Sequence, residues 1–413
     1  MKNFIDTDVL IIGAGPAGIG AAVAAASCGA RVCLLEKLSY PGGRATASAV
    51  GTICGTFFRG KELKYAMKGF PKQFSERIIS KSNKEPICFS EDLWFLPCQP
   101  EYFRETASSI LEENNIQTFF NATLLALEVV NHKISKALFR QNQIEYVVTA
   151  KSIIDCSGIG TTFQFIDHEK ITAENHQASA IVFSVSSVSV ENEFTLRHIL
   201  IKHFSKNIQS GNIPEHFQLI SIVPGSMQKD SVLLKVSLPW DPMDDLETTK
   251  SKAEILVHDI FSFLKTNIPA FENSNINWIA DEPGQRTGHR PVCRDVLTEE
   301  HVISCAKTND SICNAAWPIE YWEVGNNKVD MTFFNKNDFY SIPAGCLISK
   351  ECRNLFFAGK LISATERAIA SARVMGICLA TGYSAGVLAS FYAYDKPESE
   401  AIKLIHSQML DLG

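Results

Sequence analysis

An excess of positive charge is absent from this 413-residue sequence, which carries 39 Lys and Arg residues against 45 Asp and Glu, a net charge of −6. Proteins that bind nucleic acid usually concentrate basic residues, so the composition predicts no nucleic-acid partner. A disordered or coiled-coil chain is excluded as well, because 46% of the residues are hydrophobic and 20% are charged. The length allows two or three domains with a sizeable core.

Closely spaced cysteine pairs are also lacking, although the sequence contains 12 cysteines. Zinc sites and thioredoxin-type redox sites need a C-x-x-C spacing that occurs nowhere in the chain, so we expect no metal site. Residues 1–8 include acids where a signal peptide would have its apolar segment, and dense disulfide frameworks belong to small secreted chains. The sequence therefore predicts a cytoplasmic protein whose cysteines are reduced and act mostly as small hydrophobic residues.

Long uncharged runs do occur, at residues 9–30 and 374–394, and each is long enough to cross a bilayer. Several glycines interrupt both runs, a proline interrupts the first, and the second contains few large apolar residues. Membrane spans are richer in large apolar side chains than these runs. The pattern is typical of buried, tightly packed helices, so we expect no membrane span.

The strongest positive signal lies near the N-terminus. A β-branched run at 8–12 predicts a buried parallel strand, a G-x-G-x-x-G motif follows at Gly13, Gly15 and Gly18, and an Ala-rich helix comes next. In such a turn the first glycine permits the tight bend, the second lets a pyrophosphate approach the backbone, and the third lets the helix pack on the sheet. A second strand at 31–35 ends at Glu36, whose carboxylate can accept hydrogen bonds from ribose hydroxyls. This register predicts a Rossmann-like dinucleotide-binding domain.

Residues 41–46, with the sequence PGGRAT, decide between NAD and FAD. They resemble the G-G-x-A-T signature of the FAD-dependent oxidoreductase family, a branch of the flavoproteins with two dinucleotide-binding domains. The resemblance implies that the cofactor is FAD. It also implies an α/β fold in which a glutathione-reductase-like, Rossmann-like FAD-binding domain carries an inserted antiparallel-sheet substrate domain.

The C-terminal part carries a second resemblance to the same family. Residues 353–360 (RNLFFAGK), 362–366 (ISATE) and 373–376 (RVMG) are similar to its closing FAD motif, and residues 156–158 (CSG) stand in for its Ala-Thr-Gly segment. The resemblance implies that the N-terminus of the last long helix points at the flavin pyrimidine edge, where the helix dipole stabilises negative charge. Lys360 departs from the family pattern, in which many members carry an acid or Arg.

These motifs and resemblances together place one set of residues at the FAD. They are Gly13, Gly15, Pro16, Ala17, Gly18, Glu36, Lys37, Gly42, Gly43, Arg44, Ala45, Thr46, Ser157, Gly158, Gly359, Thr365, Val374, Met375 and Gly376.

The middle of the chain has a different texture from its two ends. Strand-like runs at 178–190, 219–223 and 231–238, with an amphipathic helix pattern at 244–265, lack βαβ alternation and predict an antiparallel sheet. We therefore expect an FAD-binding domain formed by residues 1–164 and 342–413, and a substrate domain formed by residues 165–341. A second G-x-G-x-x-G does not occur in the sequence, so a dedicated NAD(P)H domain is not expected.

Candidate catalytic residues lie between the two FAD segments. We expect Arg286, His289 and Arg290 near the flavin, where they would bind an anionic substrate or a charged intermediate; the structural alternative is a surface salt-bridge loop. Tyr340 could donate a proton or simply pack in the core. Residues 317–322 (WPIEYW) could line a pocket or belong to the core. Cys54 could lie over the flavin ring as a redox partner or attachment point, although a packed small hydrophobic residue is the simpler interpretation.

The sequence thus predicts an FAD-dependent oxidoreductase that transfers a hydride between a small-molecule organic substrate and flavin N5. Its electron acceptor would be oxygen or another carrier. One alternative is a monooxygenase-like or reductase-like enzyme in which NAD(P)H reduces the flavin without a second nucleotide-binding fold. The other is a non-catalytic flavin-binding module whose redox state controls a partner.

Overall fold

The computed structural model describes residues 3–172, 176–240, 245–286, 288–325 and 329–410. The strands, in chain order, are β1 (Asn3–Ile12), β2 (Val32–Leu35), β3 (Thr52–Cys54), β4 (Ile87–Phe89), β5 (Leu93–Pro97), β6 (Gln117–Phe119), β7 (Ala122–Val130), β8 (Lys133–Gln141), β9 (Ile144–Asp155), β10 (Lys170–Ile171), β11 (Ala180–Ser186), β12 (Ile220–Ile222), β13 (Ser231–Ser237), β14 (Asn275–Ile279), β15 (Arg290–Pro291), β16 (Ser311–Ala315), β17 (Ile319–Trp322), β18 (Val329–Thr332), β19 (Tyr340–Pro343) and β20 (Leu355–Phe357). The α-helices are α1 (Pro16–Ser27), α2 (Arg44–Ala47), α3 (Phe70–Ser82), α4 (Pro100–Glu113), α5 (Glu193–Gln209), α6 (Leu246–Asn267), α7 (Glu299–Ile303), α8 (Glu366–Ala372), α9 (Met375–Ala393) and α10 (Glu398–Ile405).

A seven-stranded sheet carries the nucleotide-binding motif, in the order β6-β2-β1-β9-β8-β7, with β20 also paired to β9. The pairs among β6, β2, β1, β9 and β20 are parallel, and β7 and β8 join as an antiparallel hairpin. Strand β1 is buried from Thr7 to Ile12, as expected for the centre of a parallel sheet covered on both faces. The predicted α/β class with a strand–turn–helix–strand unit is confirmed, while the glutathione-reductase-like subtype stays a prediction.

Helices α1 and α9 pack closely because glycines face backbone atoms at their contact. A Cβ at Gly20 would overlap Leu379 O, and a Cβ at Gly382 or Gly386 would overlap the backbone of α1 at Ala17 or Ala21. Ala17 faces Gly382 and Ala21 faces Gly386, so the two helices run in the same direction. Their N-termini therefore lie at the same end of the molecule, which is where the closing FAD motif was expected to act.

A second layer is built on a four-stranded antiparallel sheet in the order β12-β13-β11-β14. Helices α5 and α6 bury apolar side chains in the same hydrophobic cluster as this sheet, among them Phe204 and Phe263. Helix α6 begins after Asp245, whose carboxylate accepts hydrogen bonds from the N–H groups of Glu247 and Thr248. The antiparallel sheet and this helix confirm the secondary structure predicted for the middle of the chain.

The hydrophobic clusters divide the chain at a different place from the expected limits of 165 and 341. The cluster of the second layer extends from Ile181 to Ala280, apart from Ala49. Apolar residues between Leu297 and Ile342 pack instead with α1 and α9. The domain limits themselves stay a prediction.

Helix α9 deserves comparison with a membrane span, because by length and composition it could cross a bilayer. However, 89% of its most apolar window is buried inside the protein, as in the core helices of soluble proteins. All twelve cysteines lie in the described ranges and are free thiols. The burial of α9 agrees with the tight internal packing expected for the run at 374–394.

Candidate active site

The turn between β1 and α1 is closed so tightly that only glycine fits at two of its positions. Gly13 has φ +97°, and a Cβ there would lie 2.8 Å from Cys156 O, while a Cβ at Gly18 would overlap Gly13 O. Gly15 caps α1, Pro16 begins it, and neither a side-chain cap nor an acidic residue occupies the first turn. The N–H groups and positive dipole end of α1 are therefore available to an anion.

The glycine pair at 42 and 43 completes a cradle above this helix end. Gly42 and Gly43 have φ of +115° and +53°, and a Cβ at Gly43 would lie 3.0 Å from Gly15 Cα. Gly42 N donates to Ala14 O at 2.8 Å, and the Thr46 hydroxyl holds the turn by donating to Pro41 O or Gly43 O at 3.1 Å. A channel lined by backbone and free of Cβ atoms fits a pyrophosphate at the N-terminus of α1.

Glu36 lies beside this cradle at the carboxyl end of β2, and it is 4% exposed. Its carboxylate accepts hydrogen bonds from Ala14 N at 2.7 Å and Leu38 N at 2.9 Å. Burial raises the pKa of Glu36, and the two backbone hydrogen bonds oppose that shift. Each carboxylate oxygen has a second lone pair, which fits the expected contact with ribose hydroxyls.

Lys37 and Arg44, both expected at the cofactor, form ion pairs with Glu282. The distances are 2.6 Å from Lys37 Nζ to Glu282 Oε1 and 2.5 Å from Arg44 Nη1 to Glu282 Oε2. Arg44 Nη1 also donates to Pro283 O at 3.1 Å. Burial raises the pKa of Glu282, but the two cations outweigh this effect, and the pKa is lowered overall. These contacts fix the segment that carries Arg286 against the glycine cradle.

The expected flavin end lies at the N-terminus of α9. Val374 occupies the N-cap position of this helix, but its side chain makes no capping hydrogen bond, and the first turn contains no acidic residue. The N–H groups of this helix end are therefore uncapped. A Cβ at Gly376 would lie 2.8 Å from Cys54 O, so β3 passes directly over the first turn. Because Ala17 near the start of α1 faces Gly382, α9 extends about 9 Å further than α1 at a rise of 1.5 Å per residue. Two uncapped helix ends are thus staggered along one edge, as a dinucleotide with a phosphate end and a flavin end requires.

The residues that directly follow β9 and β20 contact one another and helix α9. Gly359 N donates to Thr381 Oγ1 at 3.2 Å, and a Cβ at Gly158 would lie 3.4 Å from Lys360 Cε. The Ser157 hydroxyl accepts from Thr161 N at 3.0 Å. Lys360 Nζ donates to Gln285 O at 2.9 Å, and burial lowers the pKa of Lys360 to about 7. Lys360 therefore joins the cofactor segments to the loop that contains Arg286.

A group of polar side chains lies beside Cys54, and we call it the basic cluster: Lys235, Arg286, Arg373, Glu320 and Trp322. Lys235 of β13 and Arg286 of the loop after β14 both lie over the Trp322 ring, with Lys235 Nζ at 4.2 Å and Arg286 Cζ at 4.6 Å from its centroid. Arg286 donates to Ala178 O. Burial, followed by the charge of Arg286, lowers the pKa of Lys235 to about 8.

Glu320 and Arg373 complete the basic cluster from the side of α8 and β17. The Glu320 carboxylate accepts from both neighbouring indoles, at 2.8 Å from Trp322 Nε1 and 3.0 Å from Trp317 Nε1. Arg373 Nη2 donates to Gln177 Oε1 and to Glu320 O, both at 3.2 Å, whereas its buried Nε has no partner among the described residues. Burial lowers the pKa of Arg373, and the charge of Glu320 partly offsets this.

Of the expected catalytic residues, the structure brings only Arg286 into the basic cluster. Arg290 is 2% exposed and donates to Glu366 Oε2 at 2.9 Å, Ala364 O at 2.8 Å and Gly288 O at 2.8 Å. His289 Nδ1 lies 3.3 Å from the Thr172 hydroxyl. Tyr340 is fully buried, and its hydroxyl lies 2.6 Å from Ser371 Oγ.

The surroundings of two further residues, Thr365 and Cys54, bear on what the sequence predicts for them. Thr365 caps α8, but its buried hydroxyl has no partner among the described residues. Cys54 belongs to β3, and burial followed by the charge of Glu320 raises the pKa of its thiol. A protonated thiol agrees with the simpler interpretation of Cys54 as a small hydrophobic residue.

Sequence reasoning missed Lys235, Gln177 and the part played by Arg373. Lys235 is the one charged residue of strand β13, whose other interior positions are apolar, and such a charge within a mostly buried strand is the signal that could have drawn attention to it. Arg373 belongs to the closing motif, which gives no sign of its place in the basic cluster. Nothing in the sequence near Gln177 marks it, because its neighbours in the fold come from elsewhere in the chain.

The parallel sheet, the glycine cradle and the two uncapped helix ends define a dinucleotide-binding flavoprotein. The chain belongs to the FAD dependent oxidoreductase family, whose pattern matches residues 8–408, and its cofactor is FAD. Gly13, Gly15, Gly43 and Glu36, which the sequence predicts at the cofactor, lie together in the glycine cradle, and their contacts with FAD stay a prediction.

Individual relatives extend this comparison. The soluble pyridine nucleotide transhydrogenase of Hahella chejuensis (strain KCTC 2396) is 42% identical over 83 residues, which are 20% of this chain and 16% of that protein. Among solved structures, a mutant of the flavin-dependent brominase Bmp2 matches with a TM-score of 0.52 and 12% identity over 97% of this chain and 84% of its own. CabE, an aromatic hydroxylase from angucycline biosynthesis, matches with a TM-score of 0.53 and 11% identity over 97% of this chain and 65% of its own. At these identities the two structures support the fold.

Proposed function

We propose that the protein is an FAD-dependent oxidoreductase that transfers a hydride between a small organic substrate and flavin N5. The observation that carries the proposal is the meeting of the uncapped N-terminus of α9 with the basic cluster at Cys54. Bound FAD would supply the redox chemistry, and the chain would supply binding, orientation and electrostatics. Free thiols throughout the chain support a cytoplasmic location.

In this proposal each region has a separate task. The N-terminus of α9 would stabilise negative charge at the flavin pyrimidine edge. Arg286 would bind the substrate, while Arg290 would act as a positioning residue through Glu366, which also accepts from Gln177 Nε2 at 3.3 Å. Gln177 in turn orients Arg373. His289 stays a candidate for proton transfer, and the packing of Tyr340 favours a structural role for that residue.

The test is an anaerobic screen on the FAD-loaded protein with a panel of small metabolites, read by loss of the flavin absorbance. Bleaching by a metabolite, followed by return of the colour when oxygen or another acceptor is added, is the expected result. A protein that binds FAD but is bleached by no metabolite and by neither NADH nor NADPH would contradict the proposal and favour the non-catalytic module.

A second candidate is an NAD(P)H-using monooxygenase or reductase. Its support is the fold likeness to a brominase and an aromatic hydroxylase. Prompt bleaching of the flavin by NADH or NADPH in the absence of any other substrate would favour this candidate. Slow bleaching by NADH and NADPH, together with rapid bleaching by another organic metabolite, would favour the first candidate.

A further inference from the structure

The basic cluster carries more positive charge than its own residues neutralise. Lys235, Arg286 and Arg373 influence one another electrostatically, and Glu320 is the carboxylate that acts on all three. None of the three cations has a carboxylate within ion-pair distance among the residues that the structure describes. Two positive charges are therefore left without a counter-charge.

Glu320 is held in a way that limits what it can offer the cations. Both of its oxygens accept from indole N–H groups, so its orientation is fixed by Trp317 and Trp322 rather than by Lys235 or Arg286. Glu366 also carries negative charge nearby, but Arg290 already pairs with it at 2.9 Å. The three cations are half-buried, and withdrawing unpaired positive charges from water even in part costs free energy that a bound anion would recover.

The hydrogen-bonding groups that the cluster leaves unused are donors, so they also favour an anionic ligand. Arg286 uses one described hydrogen bond, to Ala178 O, and Lys235 Nζ contacts the face of Trp322. Arg373 keeps a buried Nε without a partner in the described part of the chain. Arg and Lys donate but cannot accept, so the ligand that satisfies them must supply acceptor oxygens. Guanidinium groups also match carboxylate or phosphate oxygens in a two-point contact.

We propose that the substrate of this site is a small organic dianion, which Lys235, Arg286 and Arg373 bind beside Cys54 at the flavin end. The inference rests on the proposed function and deepens it by naming the charge class of the substrate. Two carboxylates or one phosphate monoester would each supply two negative charges and the acceptor oxygens. Arg290 would hold Glu366 and Gln177, and through them Arg373, without contacting the ligand.

The test is binding to the oxidised, FAD-loaded protein, measured both by calorimetry and by the change in flavin absorbance. The probes are succinate, methyl phosphate, propionate and the neutral succinamide. We expect succinate or methyl phosphate to bind at least about tenfold more tightly than propionate, and succinamide to give no detectable binding. Which of the two dianions binds tells whether the anionic groups are carboxylates or a phosphate.

Two variants and a control make the test specific to the cluster. Lys235→Met and Arg286→Met should each weaken binding of the preferred dianion at least about 30-fold while FAD content and thermal unfolding show a folded holoprotein. Lys133→Met, an exposed lysine on the β7–β8 hairpin, should leave binding unchanged. Equal binding of all four probes, or dianion binding that neither cluster variant weakens, would overturn the inference.

The outcomes also separate this inference from the proposed function. If a dianion binds through Lys235 and Arg286 but no metabolite bleaches the flavin, the proposed hydride transfer fails and the anion site remains. If an uncharged metabolite bleaches the flavin and the two variants react as fast as the parent protein, the anion site fails and the oxidoreductase remains.

Discussion

The phosphate end and the basic cluster of this site are built on opposite principles. At the phosphate end the functional surface is backbone, exposed by Gly13, Gly15 and Gly43 in the turn regions before α1 and α2. In the basic cluster the functional groups are side chains, and Lys235, Arg286 and Arg373 reach it from segments far apart in the sequence. The first region costs little to keep without ligand, whereas the second holds charges that destabilise the unliganded fold.

The largest expected effect concerns the phosphate end. In Gly15→Ala the new Cβ would meet no protein atom closer than 3.8 Å, and Gly15 has an ordinary φ of −72°. The methyl group would instead occupy the cradle, so we expect FAD affinity to fall about 1,000-fold without loss of the fold. Fluorescence titration with FAD and thermal unfolding of the apoprotein measure the two quantities.

Gly288→Ala is the matched control for this change, because no atom lies within 4 Å of a Cβ at that position. It should bind FAD as the parent protein does. Equal loss of FAD affinity in both variants, or unaltered affinity in Gly15→Ala, would remove the distinction between a backbone cradle and ordinary loop glycines.

The next prediction separates two arginines that the sequence treats alike. Arg290 is buried against Glu366 and two carbonyls, so Arg290→Met leaves a partly buried carboxylate unpaired and should lower the free energy of unfolding by about 3 kcal/mol. Arg286 has no ion-pair partner among the described residues, so Arg286→Met should leave stability unchanged or raise it. Urea unfolding of both variants measures the contrast, which fails if the two are equally destabilised.

The contrast between the two regions explains which parts of the fold and of the candidate site could be predicted from the sequence alone. Motifs whose residues are neighbours in the chain, such as Gly13 to Gly18 with Glu36, predicted both local structure and cofactor contact, because strand, turn and helix fix their geometry together. Arg286, His289 and Arg290 are also neighbours in the chain, yet their described contacts differ. Their partners, Trp322, Thr172 and Glu366, are set by tertiary packing, which a single sequence does not encode locally.

The third prediction is that replacing Lys235 stabilises the fold, although the same change should weaken dianion binding. Its pKa lies about 8 in the folded protein against an ordinary 10.5, so the folded state disfavours the charged form. Lys235→Met should therefore raise the free energy of unfolding of the unliganded protein by about 2 kcal/mol, once partial exposure is discounted. This gain in the free energy of unfolding should be complete below pH 8, where the lysine is charged in both the folded and the unfolded protein. It should fade as the pH rises toward 10.5, because above that pH the lysine is neutral in both. Urea unfolding at pH 7 and pH 10 checks the sign, and a destabilised variant would contradict it.

The same lysine should make dianion binding depend on pH. Lys235 is faced by Arg286 from the loop after β14, Glu320 from β17, Arg373 from the end of α8 and Cys54 from β3. Burial and the charge of Arg373 lower the pKa of Arg286 to about 9, which is still above the value of about 8 for Lys235. The raised pKa of Cys54 keeps its thiol protonated, so Lys235 is the first of these groups expected to lose its charge as the pH rises above 7. Affinity for the preferred dianion should fall about tenfold between pH 7 and pH 9.5 in the parent protein. Calorimetry on Lys235→Met should give a shallower pH profile than the parent protein gives, and an unchanged slope would assign the dependence to another group.

The smallest expected effect tests whether Tyr340 belongs with the basic cluster or with the core. Its hydroxyl is buried and bonded to Ser371 Oγ, and its ring meets Phe334 edge-on at 6.0 Å between centroids. Tyr340→Phe removes one hydrogen bond while Ser371 keeps its bond to Trp317 O, so the free energy of unfolding should fall by about 1 kcal/mol. The rate of flavin reduction by the substrate should change less than about twofold, since no proton would pass through this side chain. A fall of a hundredfold or more in that rate, in a variant with normal FAD content, would instead assign Tyr340 to proton transfer and extend the reactive region beyond the basic cluster.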